Sequence, residues 1–141
     1  MGVAISITYD GSLRCTAVHG PSGSRLITDA PVDNMGKGEA FSPTDLVATA
    51  LGTCMATTMA IVADRERIDL TGMTVDVVKH MELKPFRRIG RLETRIVVRT
   101  KLTSEQRQKL ENAAHACPVH KSLAPNVEMP IHFEFTGGTG N

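Results

Sequence analysis

The side chains in this chain best suited to covalent chemistry are its three cysteines, Cys15, Cys54 and Cys117. A thiolate is both a nucleophile and a redox centre, so the setting of each cysteine decides what it can do. Cys54 lies midway along an uncharged segment, Leu51-Gly52-Thr53-Cys54-Met55, where by itself it also reads as a small buried hydrophobe. Cys117 immediately precedes Pro118 at the start of a helical turn. Free backbone N–H groups and the helix dipole there favour a thiolate, although a plain N-cap role fits the same position. His115 and His120 flank it and add positive charge when protonated. Together with Cys117 they make three ligand-type side chains within six residues. Zinc sites usually want paired cysteines or a second cluster, and there is no Cys-x-x-Cys, so no metal is expected. No Gly-rich phosphate loop follows a strand and no Ser, His and Asp combination stands out, which leaves thiol chemistry and calls for no cofactor.

The elements that must position these thiols are legible from local pattern. Val3 to Tyr9, Leu13 to His19 and Ser24 to Thr28 read as three strands of a meander, joined by turns at Asp10-Gly11 and Pro21-Ser22-Gly23. Asp29 to Phe41 is rich in Pro, Asp, Asn and Gly and reads as a loop with room to approach a site. Ser42 then stands as an N-cap, Pro43 as the first helical residue and Asp45 as the far arm of a capping box. A helix follows to about Arg65 or Arg67, apolar on nearly every face, which predicts that protein surrounds it and that a second subunit supplies part of the cover. Met73 to Leu83 alternates with period two, Lys84 to Gly90 turns, and Leu92 to Thr100 returns with Leu92, Ile96 and Val98 inward. The arginines of that hairpin, Arg91, Arg95 and Arg99, fall on the opposite face and read as a solvated surface. Thr103 with Gln106 opens a helix to about Ala116, Val119 to Leu123 forms a short helix, and Val127 to Phe135 closes as a strand.

Bulk properties bound the function classes. A chain of 141 residues fits one domain over 1–141 with a real core. The net charge of +1 offers no field for a polyanion, and 4% aromatic content leaves few rings for base stacking, so nucleic acid is not an expected partner. Leu46 to Ala63 is uncharged for 18 residues, near the lower limit of a membrane span. Its Ala and Thr content, Gly52 and the lack of a basic anchor favour a buried helix, so no membrane is expected. Three widely spaced cysteines make no disulfide framework, and Met1 to Asp10 lacks the regions of a secretion signal; a reducing cytoplasm is the expected compartment.

The stretch Gly36-Lys37-Gly38-Glu39-Ala40-Phe41-Ser42-Pro43-Thr44-Asp45-Leu46 leading into Leu51-Gly52-Thr53-Cys54, with Ala116-Cys117-Pro118-Val119-His120-Lys121-Ser122-Leu123 downstream, resembles the OsmC/Ohr family. That family comprises osmotically inducible protein C and the organic hydroperoxide resistance proteins; the likeness covers nearly the whole chain and falls nearest the less-studied OsmC-like branch. The resemblance implies an α+β fold, with antiparallel sheets wrapped around two central helices in an intertwined homodimer, and a peroxidase site at the subunit interface. It implies further that Cys54 is the peroxidatic cysteine, Cys117 the resolving cysteine and Arg14 the arginine that stabilises the thiolate, with a dithiol, lipoyl-linked in the family, resetting the pair. Cys15 has no part in that scheme. Where better-characterised members carry a glutamate ten residues before the first cysteine, this chain has Thr44. Asp45 is next along but lies about 180° around the helix from Cys54, whereas Thr44 is about 80° away. Glu39, on the Gly-rich loop, is the alternative carboxylate for Arg14. Loss of the usual glutamate leaves a second reading open, a non-catalytic homodimeric binding or scaffold protein.

Overall fold

The computed structural model of the chain describes residues 1–140. It divides into two compact units, Met1–Val47 and Ala48–Asn141, with two three-stranded sheets and three α-helices among the described residues.

The first unit is the expected meander: β1 (Ile5–Gly11), β2 (Arg14–His19) and β3 (Arg25–Asp29), antiparallel in the order β1-β2-β3. Ser12 and Leu13 form a two-residue turn with φ of 54° and 62°, the left-handed conformation that matches the twist of a tight hairpin. Register then sets Arg14, the first residue of β2, directly opposite Asp29, the last of β3. Ile5, Ile7 and Tyr9 share one face of β1, and each is more than half exposed.

The loop after β3 is held by its own backbone hydrogen bonds. The Gly36 N–H donates to the Pro31 carbonyl at 3.0 Å and the Gly38 N–H to the Ala30 carbonyl at 3.2 Å. A Cβ on Gly36 would overlap the Ala30 carbonyl, so only glycine lets the loop fold back this tightly. Helix α1 (Pro43–Asp64) opens as its sequence predicts. The Asp45 N–H donates to Ser42 Oγ at 3.1 Å and the Ser42 N–H to Asp45 Oδ2 at 2.9 Å, a capping box with an aspartate arm.

The second unit contains most of α1, then β4 (Thr74–Glu82), β5 (Arg88–Val98), α2 (Ser104–His115), α3 (Pro118–Leu123) and β6 (Ile131–Phe135). The alternation in β4 and β5 holds, with Leu92, Ile96 and Val98 fully buried and Arg95 exposed and paired with Glu134. Helix α1 buries Ala48, Leu51, Gly52, Met55, Met59 and Ala63, one stripe at helical spacing. A Cβ on Gly52 would stand 3.0 Å from Val77 Cγ2, so its absence brings the helix close onto β4. The opposite stripe, Thr49, Thr53, Thr57 and Ile61, is exposed, so a single chain does not enclose the helix on every side. Helix α1 is also long and apolar enough to cross a membrane by length and composition, a test that buried core helices pass as well.

The second sheet corrects the expectation of purely antiparallel sheets. Its order is β4-β5-β6, with β4 and β5 antiparallel but β5 and β6 parallel, Thr94 opposite Ile131 through Val98 opposite Phe135. The chain between these strands carries α2 and α3, the long crossover that parallel neighbours require and a tight turn cannot provide. At its start, Thr103 Oγ1 accepts the Gln106 N–H at 3.1 Å, and Gln106 Oε1 accepts the Thr103 N–H at 2.9 Å.

Candidate functional site

Cys54 and Cys117 meet in the second unit. Cys54 is half-buried on α1, and Cys117 is fully buried as the N-cap of α3. The Cys117 φ and ψ of −63° and 141° keep it outside the helix, so its Sγ turns back to accept the His120 N–H at 3.3 Å. Pro118 follows at the first helical position, where the missing N–H costs nothing. Burial pushes the Cys117 thiol up, the His120 N–H acts in the opposite sense, and the neighbouring Cys54 thiol raises it further. The expected thiolate at this helix start is therefore overridden: withdrawal from water outweighs one backbone donor, and Cys117 is held as a thiol. All three cysteines are free.

His115 and His120 pack edge to face at 5.9 Å between ring centroids, and His115 rests against Phe133 at 6.1 Å. Burial first, then the charges of His115 and Lys121, favour neutral His120. Among the described residues no three His, Cys, Asp or Glu side chains cluster as a metal-ligand set. Cys15 lies on β2 opposite Tyr9 and Thr28.

The first unit contains a separate charged cluster around Arg14. Its Nε donates to Asp29 Oδ1 at 2.7 Å, and one Nη2 proton donates to Asp29 Oδ2 at 2.9 Å, a two-point grip on a carboxylate that is almost fully buried. Glu39 Oε2 accepts from the same Nη2 at 3.3 Å, from a largely exposed side chain. The Arg14 hydrogen bonds, helped by the Arg14 charge and the Glu39 N–H, hold the Asp29 carboxyl below the usual range against the upward push of burial, and the pair strengthens the grip of Arg14 on its own proton. Sequence reasoning named Arg14 and Glu39 but missed Asp29, the closer partner; the two face each other only because the hairpin centres between Pro21 and Ser22, a register that the Pro21-Ser22-Gly23 turn does not give to the residue. Thr44 bonds Ser42 through its hydroxyl at 3.2 Å, and Asp45 serves the helix cap.

Two adjacent free thiols, one half-open on the long helix α1 and one sealed at the start of α3, sit in a protein of mixed α+β architecture with two sheets. The family pattern described as OsmC-like protein matches residues 36–132, and the chain belongs to that family. A Psychrobacter arcticus protein named for osmotic stress induction and a detoxification response is 42% identical, with 94% of this chain and 97% of that one covered and a TM-score of 0.88. An OsmC-like protein of unknown function from Vibrio cholerae shares the fold at 17% identity, covering 94% and 99% of the two chains with a TM-score of 0.79. An organic hydroperoxide resistance protein from Legionella pneumophila does so at 19% identity, covering 95% and 97%, with a TM-score of 0.73. No curated protein matches the chain.

Proposed function

We propose that this chain is a thiol-dependent peroxidase that reduces organic hydroperoxides through Cys54 and Cys117. The observation that carries this reading is the pairing of the two free thiols, one half-open and one buried. The Cys54 thiolate attacks the distal peroxide oxygen and breaks the O–O bond. The distal oxygen stays on sulfur as a sulfenic acid, and the alkoxide leaves with a proton as the alcohol. Cys117 then attacks the sulfenic sulfur, the S–S bond forms, and the hydroxyl departs with the Cys117 proton as water. A dithiol, of the lipoyl-linked class that the family resemblance suggests, reduces the disulfide by exchange and is itself oxidised to a disulfide. Holding Cys117 as a thiol fits this division of labour, because it shields the resolving sulfur from direct oxidation.

In this reading Arg14 is the guanidinium that favours the Cys54 thiolate and polarises the peroxide, at a site completed in a homodimer. Apolar neighbours of Cys54 on α1, Leu51 and Met55, favour organic over hydrogen peroxide. The test is turnover of cumene hydroperoxide with a panel of dithiols. Turnover abolished by Cys54→Ser supports the peroxidase. A folded wild-type protein that consumes no hydroperoxide with any dithiol favours the non-catalytic scaffold.

A further inference from the structure

The tip of the β4–β5 hairpin has a surface that the peroxidase scheme does not use. Glu82 stands opposite Arg88 where the two strands part, and the chain between them, Leu83-Lys84-Pro85-Phe86-Arg87, turns in solvent. Leu83 is 68% exposed and Phe86 63% exposed, two large apolar side chains left in water on one short turn. Cations surround them: Lys84 and Arg87 are exposed and Arg88 is half-buried. No acidic residue occurs from Leu83 to Arg91, in a chain whose net charge is only +1. Farther along the strands the charges are matched, with Arg91 paired to Glu93 at 2.9 Å and His80 to Glu93 at 3.6 Å. Lys84, by contrast, forms no ion pair among the described residues.

We propose that this hairpin tip docks the protein on an anionic membrane surface, with Leu83 and Phe86 entering the interface and Lys84, Arg87 and Arg88 lying on lipid phosphates. Such a surface offers negative charge to the three cations and, just beneath it, an acyl boundary to the two apolar side chains. The long stems of the lysine and arginines let their charged ends stay among the headgroups while the tip sinks. Tip against tip, a second copy of the chain would set like charges together. A protein partner would need a pocket shaped to a projecting turn, whereas lipid yields around it. The expectation of no membrane came from α1, whose composition bears on crossing a bilayer and not on lying against one. The proposal does not depend on the peroxidase reading.

The experiment is sedimentation of the full chain with vesicles of phosphatidylcholine containing about 30% phosphatidylglycerol, an anionic lipid. Wild type is expected to sediment with them at about 0.05 M salt, and to bind at least about fivefold more weakly at about 0.5 M salt or to phosphatidylcholine alone. Lys84→Glu is expected to weaken binding about fivefold or more, the size of one lost cation at such a surface. Phe86→Ser is expected to weaken it about tenfold or more, through loss of one buried apolar side chain. Lys101→Glu makes the same change in net charge beyond the far end of β5, and is expected to leave binding within about twofold. All three replaced side chains are exposed, and circular dichroism checks that each variant folds. The chain has no tryptophan, so Phe86→Trp sets a single reporter at the tip. Its emission is expected to shift to the blue with the anionic vesicles and to be quenched by brominated acyl chains. Wild type that stays in solution overturns the proposal, and so does full binding by Phe86→Ser. Equal losses in Lys84→Glu and Lys101→Glu would assign the binding to net charge, and a bound protein whose tip reporter is not quenched would place the contact elsewhere; either result also overturns it.

Discussion

Cys54 and Cys117 differ in what surrounds them, and the difference sets their order of reaction. At neutral pH iodoacetamide is expected to label half-open Cys54 before buried Cys117. One equivalent of organic hydroperoxide is then expected to join Cys54 to Cys117 as a single disulfide-linked peptide pair by mass spectrometry, with Cys15 free. A main product containing Cys15 would exclude the pairing. His120 adds a pH dependence of known sign. Its folded state favours the neutral ring, chiefly through burial, so its pKa lies below the ordinary value. Its contribution to stability is therefore full above about pH 6.5 and lost as pH falls through the depressed folded value. The urea midpoint is expected to drop from about pH 7 to about pH 5, and to drop less in His120→Gln, which keeps the backbone N–H on Cys117. An identical slope in the variant would remove His120 as a source.

Among the elements, the loop between β3 and α1 deserves a direct test because it carries Glu39 to the Arg14 cluster. Gly36→Ala sets a methyl group against the Ala30 carbonyl, and backbone cannot yield as a flexible side chain would. The loop must move, with loss of about 1–3 kcal/mol, the usual range for overpacking. Chemical denaturation is the measurement, and an unchanged midpoint would mean that the loop relaxes without cost. The capping boxes at Ser42 and Thr103 were legible because each is written within four residues of sequence. The alternating faces of β4 and β5 were legible for the same local reason. The parallel pairing of β5 with β6 was not, because direction depends on where the crossover through α2 and α3 returns the chain.

For the whole molecule, the proposed homodimer has apolar side chains to cover that one chain leaves open. Ile5, Ile7 and Tyr9 on β1 are 61%, 68% and 64% exposed, and Ile61 on α1 is 51% exposed. Covering such apolar side chains stabilises by about 25 cal/mol per Å². With the family resemblance, this supports an obligate homodimer. Sedimentation of the wild-type protein at low micromolar concentration is expected to show dimer alone, and a well-folded monomer there would rule the assembly out.

The order of elements, both helix caps, the alternating strands and the two cysteine positions were readable from the amino-acid sequence, since each depends on neighbours within a turn or a hairpin. Tertiary structure decided the rest. Cys117 is held as a thiol, against the pull of its helix start, by burial and by Cys54, which lies far off in the chain on α1. The pairing of Arg14 with Asp29 depends on hairpin register, where a slip of one residue would turn the carboxylate to the other face. The open stripe of α1, in a helix that composition alone shows as apolar all round, appears only when the sheet has covered one side. Local interactions specify which element forms; free energy summed over distant contacts specifies which side chains meet.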